Sequence, residues 1–354
     1  MRWLIVHPGP NFSVDDVFRG WAEALRAAGE DVMEYNFDDR MLFFGSALMP
    51  DPAAVPDADG RSLARQAMTQ EQAVENAADG LAGACYKWWP DVVLCVSAFF
   101  IPEFYLQVIR ARRHKVVMLF TEAPYQDSEH LVMAQYADVC LVNDPVSIGR
   151  YREVCPVSEY APHSYRPSVH YPAPAGTEPE YDLAWVGTGF PSRQQFFERL
   201  DLAGLRVALG GLWPSLGDDS PLRPHLLPVK DGADGCVDNA RTADLYRAAR
   251  TGINFYRRES EDGWDGQGWA CGPREIEMAA CGLWFARDPR GESGELFPFL
   301  PEFTSPAEAS DAIRWALEHD REREKAAAMA REAIAGRTFD NAAKRLLALL
   351  ENVK

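Results

Sequence analysis

An arginine and a glutamate three positions apart, Arg274 and Glu277, carry the first chemical signal in this sequence. They lie in residues 273–281 (PREIEMAAC), which begin with Pro273, suited to the first turn of a helix, and are followed by Gly282, suited to its end. Residues three apart share a helix face. A carboxylate there can accept both hydroxyls of a ribose, and a nearby cation with the positive helix N-terminus can hold a diphosphate. An ordinary ion pair on a solvated helix fits the same two residues.

A glycine-containing loop gives a second signal. The apolar residues 181–186 (YDLAWV) read as a strand and are followed by Gly187 and Thr188, with Arg193 at the start of a helix. Backbone N–H groups of such a loop suit a diphosphate, and the threonine and arginine add a hydroxyl and a charge. A tight strand-to-helix turn has the same composition, so this loop supports phosphate binding only together with the first signal.

Three polar residues follow apolar strands in the N-terminal half. His7 comes directly after the strand at residues 3–6, and Glu122 and Asp127 follow the strand at residues 115–120 (KVVMLF). Ligands of parallel α/β sheets bind at the carboxyl ends of strands. These three residues are therefore candidates for a base or an acceptor ligand, in no fixed order. Loop capping and ordinary turn formation are the alternative explanation, and each is the commoner role for a residue in such a position.

The elements that position these residues alternate between short apolar strands and amphipathic helices. This alternation is typical of doubly wound α/β domains, and 354 residues favour two of them. A proline-rich stretch marks the connection. We predict an N-terminal Rossmann-like domain at residues 1–165, a linker at 166–180, a second Rossmann-like domain at 181–336 and a C-terminal helix at 337–354.

Several elements are predicted in more detail. A long helix is expected at residues 62–83, a surface loop at 50–60 and a loop beside the cleft at 259–272. Residues 287–295 are charged and contain glycines, and they too are expected to form a loop.

The segment PREIEMAACG (residues 273–282) resembles the (P/R)-x-x-E-A-x-A-x-G segment of group 1 glycosyltransferases. The nearest resemblance is to the spore-maturation-protein-like branch, with actinobacterial and actinophage relatives. It extends to YDLAWVGTGFPSR (residues 181–193) and GINFYR (residues 252–257), and is weaker in the first 160 residues. The resemblance implies the GT-B fold: two Rossmann-like domains facing each other across a cleft, with a C-terminal helix returning to the first domain. It also implies a hexosyl- or pentosyltransferase that uses a nucleotide sugar, most often a UDP- or GDP-sugar, without a metal.

Residue roles follow from the same resemblance. It assigns Glu277 to the donor ribose, Arg274 to the donor phosphates, and Asn254 and Arg257 to the donor side of the cleft. One departure concerns Trp269, which stands where many retaining members carry a second glutamate. Retaining and inverting chemistry therefore both stay open, and a non-catalytic, two-lobed module that binds a sugar or nucleotide is the alternative function.

Composition limits the partners and the compartment. Asp and Glu number 53 against 36 Lys and Arg, a formal charge of −17, which disfavours extended nucleic-acid binding and favours a neutral or cationic acceptor. Protein side chains, a modified nucleobase, a lipid and a small molecule all stay open as acceptors. Seven scattered cysteines without a C-x-x-C pair indicate reduced thiols in a cytoplasm. No apolar run is long enough to span a membrane.

Overall fold

Two parallel sheets organise the chain in the computed structural model, which describes residues 1–10, 14–50, 65–228, 237–259 and 268–352. The strands are β1 (Arg2–Val6), β2 (Asp31–Tyr35), β3 (Leu48–Pro50), β4 (Arg65–Ala67), β5 (Val92–Val96), β6 (Lys115–Phe120), β7 (Val139–Val142), β8 (Ser158–Tyr160), β9 (Tyr181–Val186), β10 (Val207–Gly210), β11 (Ala249–Asn254) and β12 (Trp284–Arg287). The first sheet has the order β2-β1-β5-β6-β7-β8 and the second the order β10-β9-β11-β12. Strands β3 and β4 form a separate antiparallel pair.

The helices cover both sheets. They are α1 (Asp15–Ala27), α2 (Phe37–Gly45), α3 (Gln70–Trp88), α4 (Glu103–Ala111), α5 (Asp127–Ala134), α6 (Ile148–Val154), α7 (Pro191–Phe197), α8 (Asn239–Arg247), α9 (Pro273–Ala280), α10 (Gly291–Leu296), α11 (Pro306–Glu318), α12 (Asp320–Ala333) and α13 (Phe339–Glu351). No helix in the described ranges is both long and apolar enough to cross a membrane.

Each sheet reverses its strand order at one place. Strand β1 lies between β2 and β5, and β9 lies between β10 and β11. Strand β5 is buried along its whole length, which explains why it reads as a continuous apolar run and not as an alternating one. In sheets of this kind, ligands bind outside the carboxyl ends of the strands near the reversal.

The last helix packs on the first domain. Phe339 of α13 lies with its ring centroid 6.3 Å from that of Trp21 on α1, and both belong to the core beneath β1. Gly20 permits this contact, because a Cβ at that position would collide with the Phe339 ring. The predicted fold class, with two parallel Rossmann-like sheets and a returning C-terminal helix, is confirmed.

Some predicted elements differ from the structure. The helix expected at residues 62–83 begins only at Gln70, where Thr69 and Gln72 form a reciprocal capping box, and continues to Trp88. The loop expected at 287–295 contains helix α10, because Glu292 and Ser293 are buried: Ser293 donates to Glu275, and Glu292 accepts from the Cys271 N–H and from the Tyr160 hydroxyl. The loop expected at 50–60 lies almost wholly outside the described residues, as does most of that at 259–272.

Candidate active site

A cavity of about 470 Å³ lies between the carboxyl ends of the two sheets, within the size range of small-molecule sites. Segments following β6 and β7 line it from the first domain, and segments following β9 and β11, with the start of α9, line it from the second. Eight predicted residues line this cavity, here called the cleft: Glu122, Gly187, Thr188, Arg193, Asn254, Arg257, Arg274 and Glu277.

Arg274 joins three elements of the second domain. Its Nε donates to the Val186 carbonyl oxygen at 2.7 Å, and its Nη1 donates to Asn254 Oδ1 at 2.8 Å. The guanidinium also lies 4.9 Å from the ring centroid of Trp185. Gly187 lets the guanidinium lie close to the backbone here, since a Cβ at that position would displace Arg274 Nη2. The side chain is thus fixed where β9, β11 and α9 meet at the cleft.

Glu277 lies one helical turn further along α9 and is partly buried. Asn239 Nδ2 donates to its Oε1 at 2.9 Å. Burial raises the pKa of Glu277 to about 8, and the charge of Asp16 raises it too, while Arg274 and Asn239 oppose the shift. At neutral pH this carboxyl therefore binds a proton much of the time. Asp16 belongs to α1 of the first domain, where Arg166 Nη1 donates to its Oδ1 at 2.7 Å.

Three arginines converge on the cleft. Arg193 is buried, with Nε donating to the Phe255 carbonyl oxygen at 3.1 Å and Nη1 to that of Thr188 at 3.0 Å. Burial lowers the pKa of Arg193 well below its usual value, and the nearby charges of Arg274 and Arg257 lower it further. A polyanion bound between these side chains would offset their mutual repulsion.

Three donors of residues that line the cleft have no hydrogen-bond acceptor among the described residues: Asn254 Nδ2, Arg257 Nη2 and Arg290 Nε. Asn254 is 1% exposed, and its Nδ2 has no partner there although its Oδ1 accepts from Arg274. Arg257 Nη2 lies 3.2 Å from Glu122 Oε2, close enough for an ion pair but not aligned for a hydrogen bond. Buried donors of this kind are costly unless an acceptor arrives.

A second set of contacts fixes the segment before α9 against the first domain. Asp144, after β7, accepts from the backbone N–H groups of Trp269 at 2.9 Å and Ala270 at 3.0 Å. Arg290 Nη2 donates to the Tyr125 hydroxyl at 2.7 Å and its Nη1 to the Gly268 carbonyl oxygen at 2.6 Å. Trp269, where the resemblance departs, is therefore part of a domain contact.

Two predicted base candidates do not line the cleft. His7 Nε2 lies 3.0 Å from Asp15 Oδ1, and the ring packs on Phe18. Asp127 is fully buried on α5, where it accepts from Ser147 at 2.6 Å and from Arg150 at 2.9 Å. Both side chains hold elements of the first domain together, so we drop them as base candidates.

Sequence reasoning missed Asp16 and Asn239, which both face Glu277. Asn239 follows a helix-capping aspartate, Asp238, and nothing in that local pattern indicates a ligand contact. Asp16 lies in the first turn of α1, where an acidic residue is favourable in any helix, so its position indicates no ligand contact. The structure alone places these two side chains beside Glu277.

Comparison with known proteins agrees with this geometry. Residues 193–348 match the family model described as glycosyl transferase-like, and no curated protein matched. Among solved structures, Anabaena HepE in complex with UDP-glucose is similar, with a TM-score of 0.61, 9% identity and 99% of each chain covered. A structure described as trehalose-6-phosphate from E. coli bound with UDP-2-fluoro glucose gives a TM-score of 0.57 at 11% identity with full coverage of both chains. T4 phage β-glucosyltransferase gives 0.53 at 12% identity, again over both whole chains.

These findings define the fold. The chain has the GT-B fold, as predicted from the sequence. The expectation of a glycosyltransferase is confirmed at the level of a glycosyl transferase-like domain that begins at Arg193, inside the candidate donor site.

Proposed function

We propose that this protein is a glycosyltransferase that takes a UDP-sugar as donor and transfers the sugar to an acceptor hydroxyl. The observation that carries the proposal is the convergence of Arg193, Arg257 and Arg274 on one cleft, beside the unused amide donor of Asn254. Similar folds have been solved with UDP-glucose and UDP-2-fluoro glucose, which favours UDP over GDP as the first nucleotide to test. Placement in the spore-maturation-protein-like branch is supported by the sequence resemblance of residues 181–193, 252–257 and 273–282.

The donor is proposed to lie along the second domain. Glu277 accepts the two ribose hydroxyls, with Asn239 holding one of its oxygens in place. The diphosphate lies among the three arginines and receives the Asn254 amide and the Thr188 hydroxyl. As the bond between sugar and phosphate breaks, negative charge grows on the departing diphosphate, and these fixed cations stabilise it. We therefore propose that the reaction needs no metal.

Glu122 is the proposed base. It is the predicted base candidate that lines the cleft, and it faces the donor site from the first domain. In an inverting reaction its carboxylate takes the acceptor proton. In a retaining reaction an oxygen of the donor phosphate takes that proton instead. Proton NMR of the product's anomeric centre distinguishes the two routes.

A cytoplasmic location completes the proposal. Six of the cysteines lie in described segments, and all six are free and buried. Reduced thiols of this kind are typical of a reducing compartment, where nucleotide sugars are also available.

A thermal-shift screen tests the donor assignment. Wild-type protein is heated with UDP, UDP-glucose, GDP, ADP, CMP and dTDP; a ligand at about 100 times its Kd adds roughly 2.7 kcal/mol of stability. UDP and UDP-glucose are expected to raise Tm, and Arg257→Ala is expected to reduce the shift. No shift with UDP or its sugars overturns the donor proposal. Release of UDP that depends on an added acceptor separates an enzyme from a binding module.

A further inference from the structure

A second cavity of about 260 Å³ lies beside the cleft and is here called the side pocket. It is enclosed by α1, the ends of β6 and β7, residues 159–164 and the returning helix α13. Its walls are largely apolar: Trp21, Leu119, Leu141, Phe339, Ala342 and Leu346. A dry cavity of about 150 Å³ can hold a benzene ring, so this one has room for a small aromatic or aliphatic body.

The side pocket adjoins the cleft. Thr121, Asn143, His163 and Ser164 line both cavities. A molecule seated in the side pocket can therefore present a group into the cleft, on the side of the first domain. The donor residues occupy the opposite side.

His163 lies at this junction. Burial lowers the pKa of His163 to about 4; the charge of Glu292 opposes the shift, and those of Arg337 and Arg290 add to it. The imidazole is therefore neutral at neutral pH and keeps a ring nitrogen able to accept a hydrogen bond from a hydroxyl.

A cation without a counter-ion lies in the wall of the side pocket. Arg345 of α13 lines the side pocket as a solvent-exposed residue, and it has no ion pair within the described parts of the chain. Burial lowers the pKa of Arg345, and the charge of Arg337 lowers it further. Glu159, which also lines the side pocket, lies 3.5 Å from Arg152 and is paired with it. An anionic group is the partner that the Arg345 guanidinium fits.

We propose that the side pocket binds the acceptor, a small amphipathic hydroxyl compound with an apolar body and an anionic end. The anion meets Arg345, the body fills the apolar walls, and the hydroxyl reaches His163 at the cleft. In the transfer, the acceptor oxygen bonds to the anomeric carbon and the bond from that carbon to the UDP oxygen breaks. The hydroxyl proton passes to a base or to the departing diphosphate. This inference rests on the proposed function. It differs from the expectation of a neutral or cationic acceptor, which follows from the net charge, because Arg345 provides a local positive charge.

Three phenols of nearly equal shape test the proposal. They are 3-(4-hydroxyphenyl)propionate, 3-(4-hydroxyphenyl)propan-1-ol and 4-(3-aminopropyl)phenol, titrated calorimetrically into wild-type protein saturated with UDP. The propionate is expected to bind at least about tenfold more tightly than the alcohol, because a charged hydrogen bond is added, and the amine more weakly than either. In Arg345→Ala the propionate is expected to lose its advantage. Equal binding of all three, or binding of none, overturns the proposal.

A matched pair of variants locates the binding. Ala342→Phe fills the side pocket from α13, whereas Ala348→Phe makes the same change at an exposed position of that helix. The propionate is expected to bind Ala348→Phe normally and Ala342→Phe at least about tenfold more weakly. Unchanged binding to Ala342→Phe overturns the proposal.

Two controls cover the failure of a variant to fold and the loss of UDP binding. If Ala342→Phe does not fold, Arg345→Glu replaces it and is expected to reverse the preference from the acid to the amine; an unreversed preference overturns the proposal. UDP binding is measured separately in every variant. If the wild-type protein does not bind UDP, the proposed donor is contradicted. If it binds UDP but does not distinguish the three phenols, only the acceptor inference is contradicted.

Discussion

Arg257 Nη2 lies 3.2 Å from Glu122 Oε2, and this ion pair joins the two domains across the cleft. The arginine follows β11 of the second domain, and the glutamate follows β6 of the first. The guanidinium also lies 4.7 Å from the ring centroid of Tyr125. In the proposed function the donor diphosphate becomes a second counter-ion for Arg257, so this pair links donor binding to the position of the proposed base.

Replacing Arg257 tests whether its positive charge binds the donor. Arg257→Ala is expected to weaken UDP binding by about 10- to 100-fold, because one hydrogen bond to a charged group contributes about 1.5–3 kcal/mol. Its neighbour Arg258 serves as control, since it pairs with Asp288 at 2.8 Å and does not line the cleft. Calorimetric titration of UDP measures both variants, and equal affinities for the two would contradict the assignment.

Neutralising Glu122 tests whether this residue is the base. Glu122→Gln keeps the shape of the side chain but cannot take a proton, so slow transfer of the sugar to water should fall by about 10²- to 10⁴-fold if Glu122 is the base. UDP affinity should stay the same or rise, since Arg257 loses a competing counter-ion. UDP release from UDP-glucose gives the rate. Hydrolysis at the wild-type rate would favour a retaining route without this base.

Glu277 is expected to make the stability of the folded protein depend on pH. Its pKa of about 8 in the folded protein exceeds the value of 4.5 for a free glutamate, so between these values the folded state holds more protons than the unfolded state. Stability from this group is therefore lost as pH rises from about 4.5 to about 8. Glu277→Gln avoids that loss while Gln still accepts from Asn239.

The corresponding measurement is a set of melting curves between pH 4.5 and 9. The difference in Tm between Glu277→Gln and wild type should grow in favour of the variant up to about pH 8 and then level. The same variant should bind UDP more weakly, since its amide offers one acceptor oxygen for the two ribose hydroxyls where the carboxyl group of Glu277 has two oxygens. A Tm difference that does not change with pH would rule out a raised pKa at Glu277.

Glu275, on the same helix as Glu277, is expected to contribute to the stability of the folded protein. Its carboxylate is fully buried and accepts from Ser293 Oγ at 2.8 Å and from the Tyr256 hydroxyl. Glu275→Ala leaves these buried donors unpaired and should cost about 2–4 kcal/mol of unfolding free energy. The exposed Glu295→Ala, also in the second domain, should change stability by less than about 0.5 kcal/mol. Urea unfolding of both variants checks this, and similar midpoints would be the contrary result.

The sequence determined the elements and the residue types that line the cleft. Arg274 and Glu277 share a helix face because their spacing is three residues, and Gly282 ends that helix with a φ of 72°. Gly187 and Glu122 follow apolar strands, and the carboxyl ends of parallel strands lie at one edge of a sheet. All of these signals are local, so a single sequence contains them.

Only the tertiary structure decided which of these residues meet and in what charge state. Asp127 follows a strand as Glu122 does, yet packing buries it against α6. The carboxyl of Glu277 holds its proton because burial and Asp16, a residue of the other domain, disfavour the charged form. Helix α13 closes the side pocket on the first domain although it follows the second. These contacts join residues far apart in the chain, and their energies depend on burial and distance, which no residue spacing records.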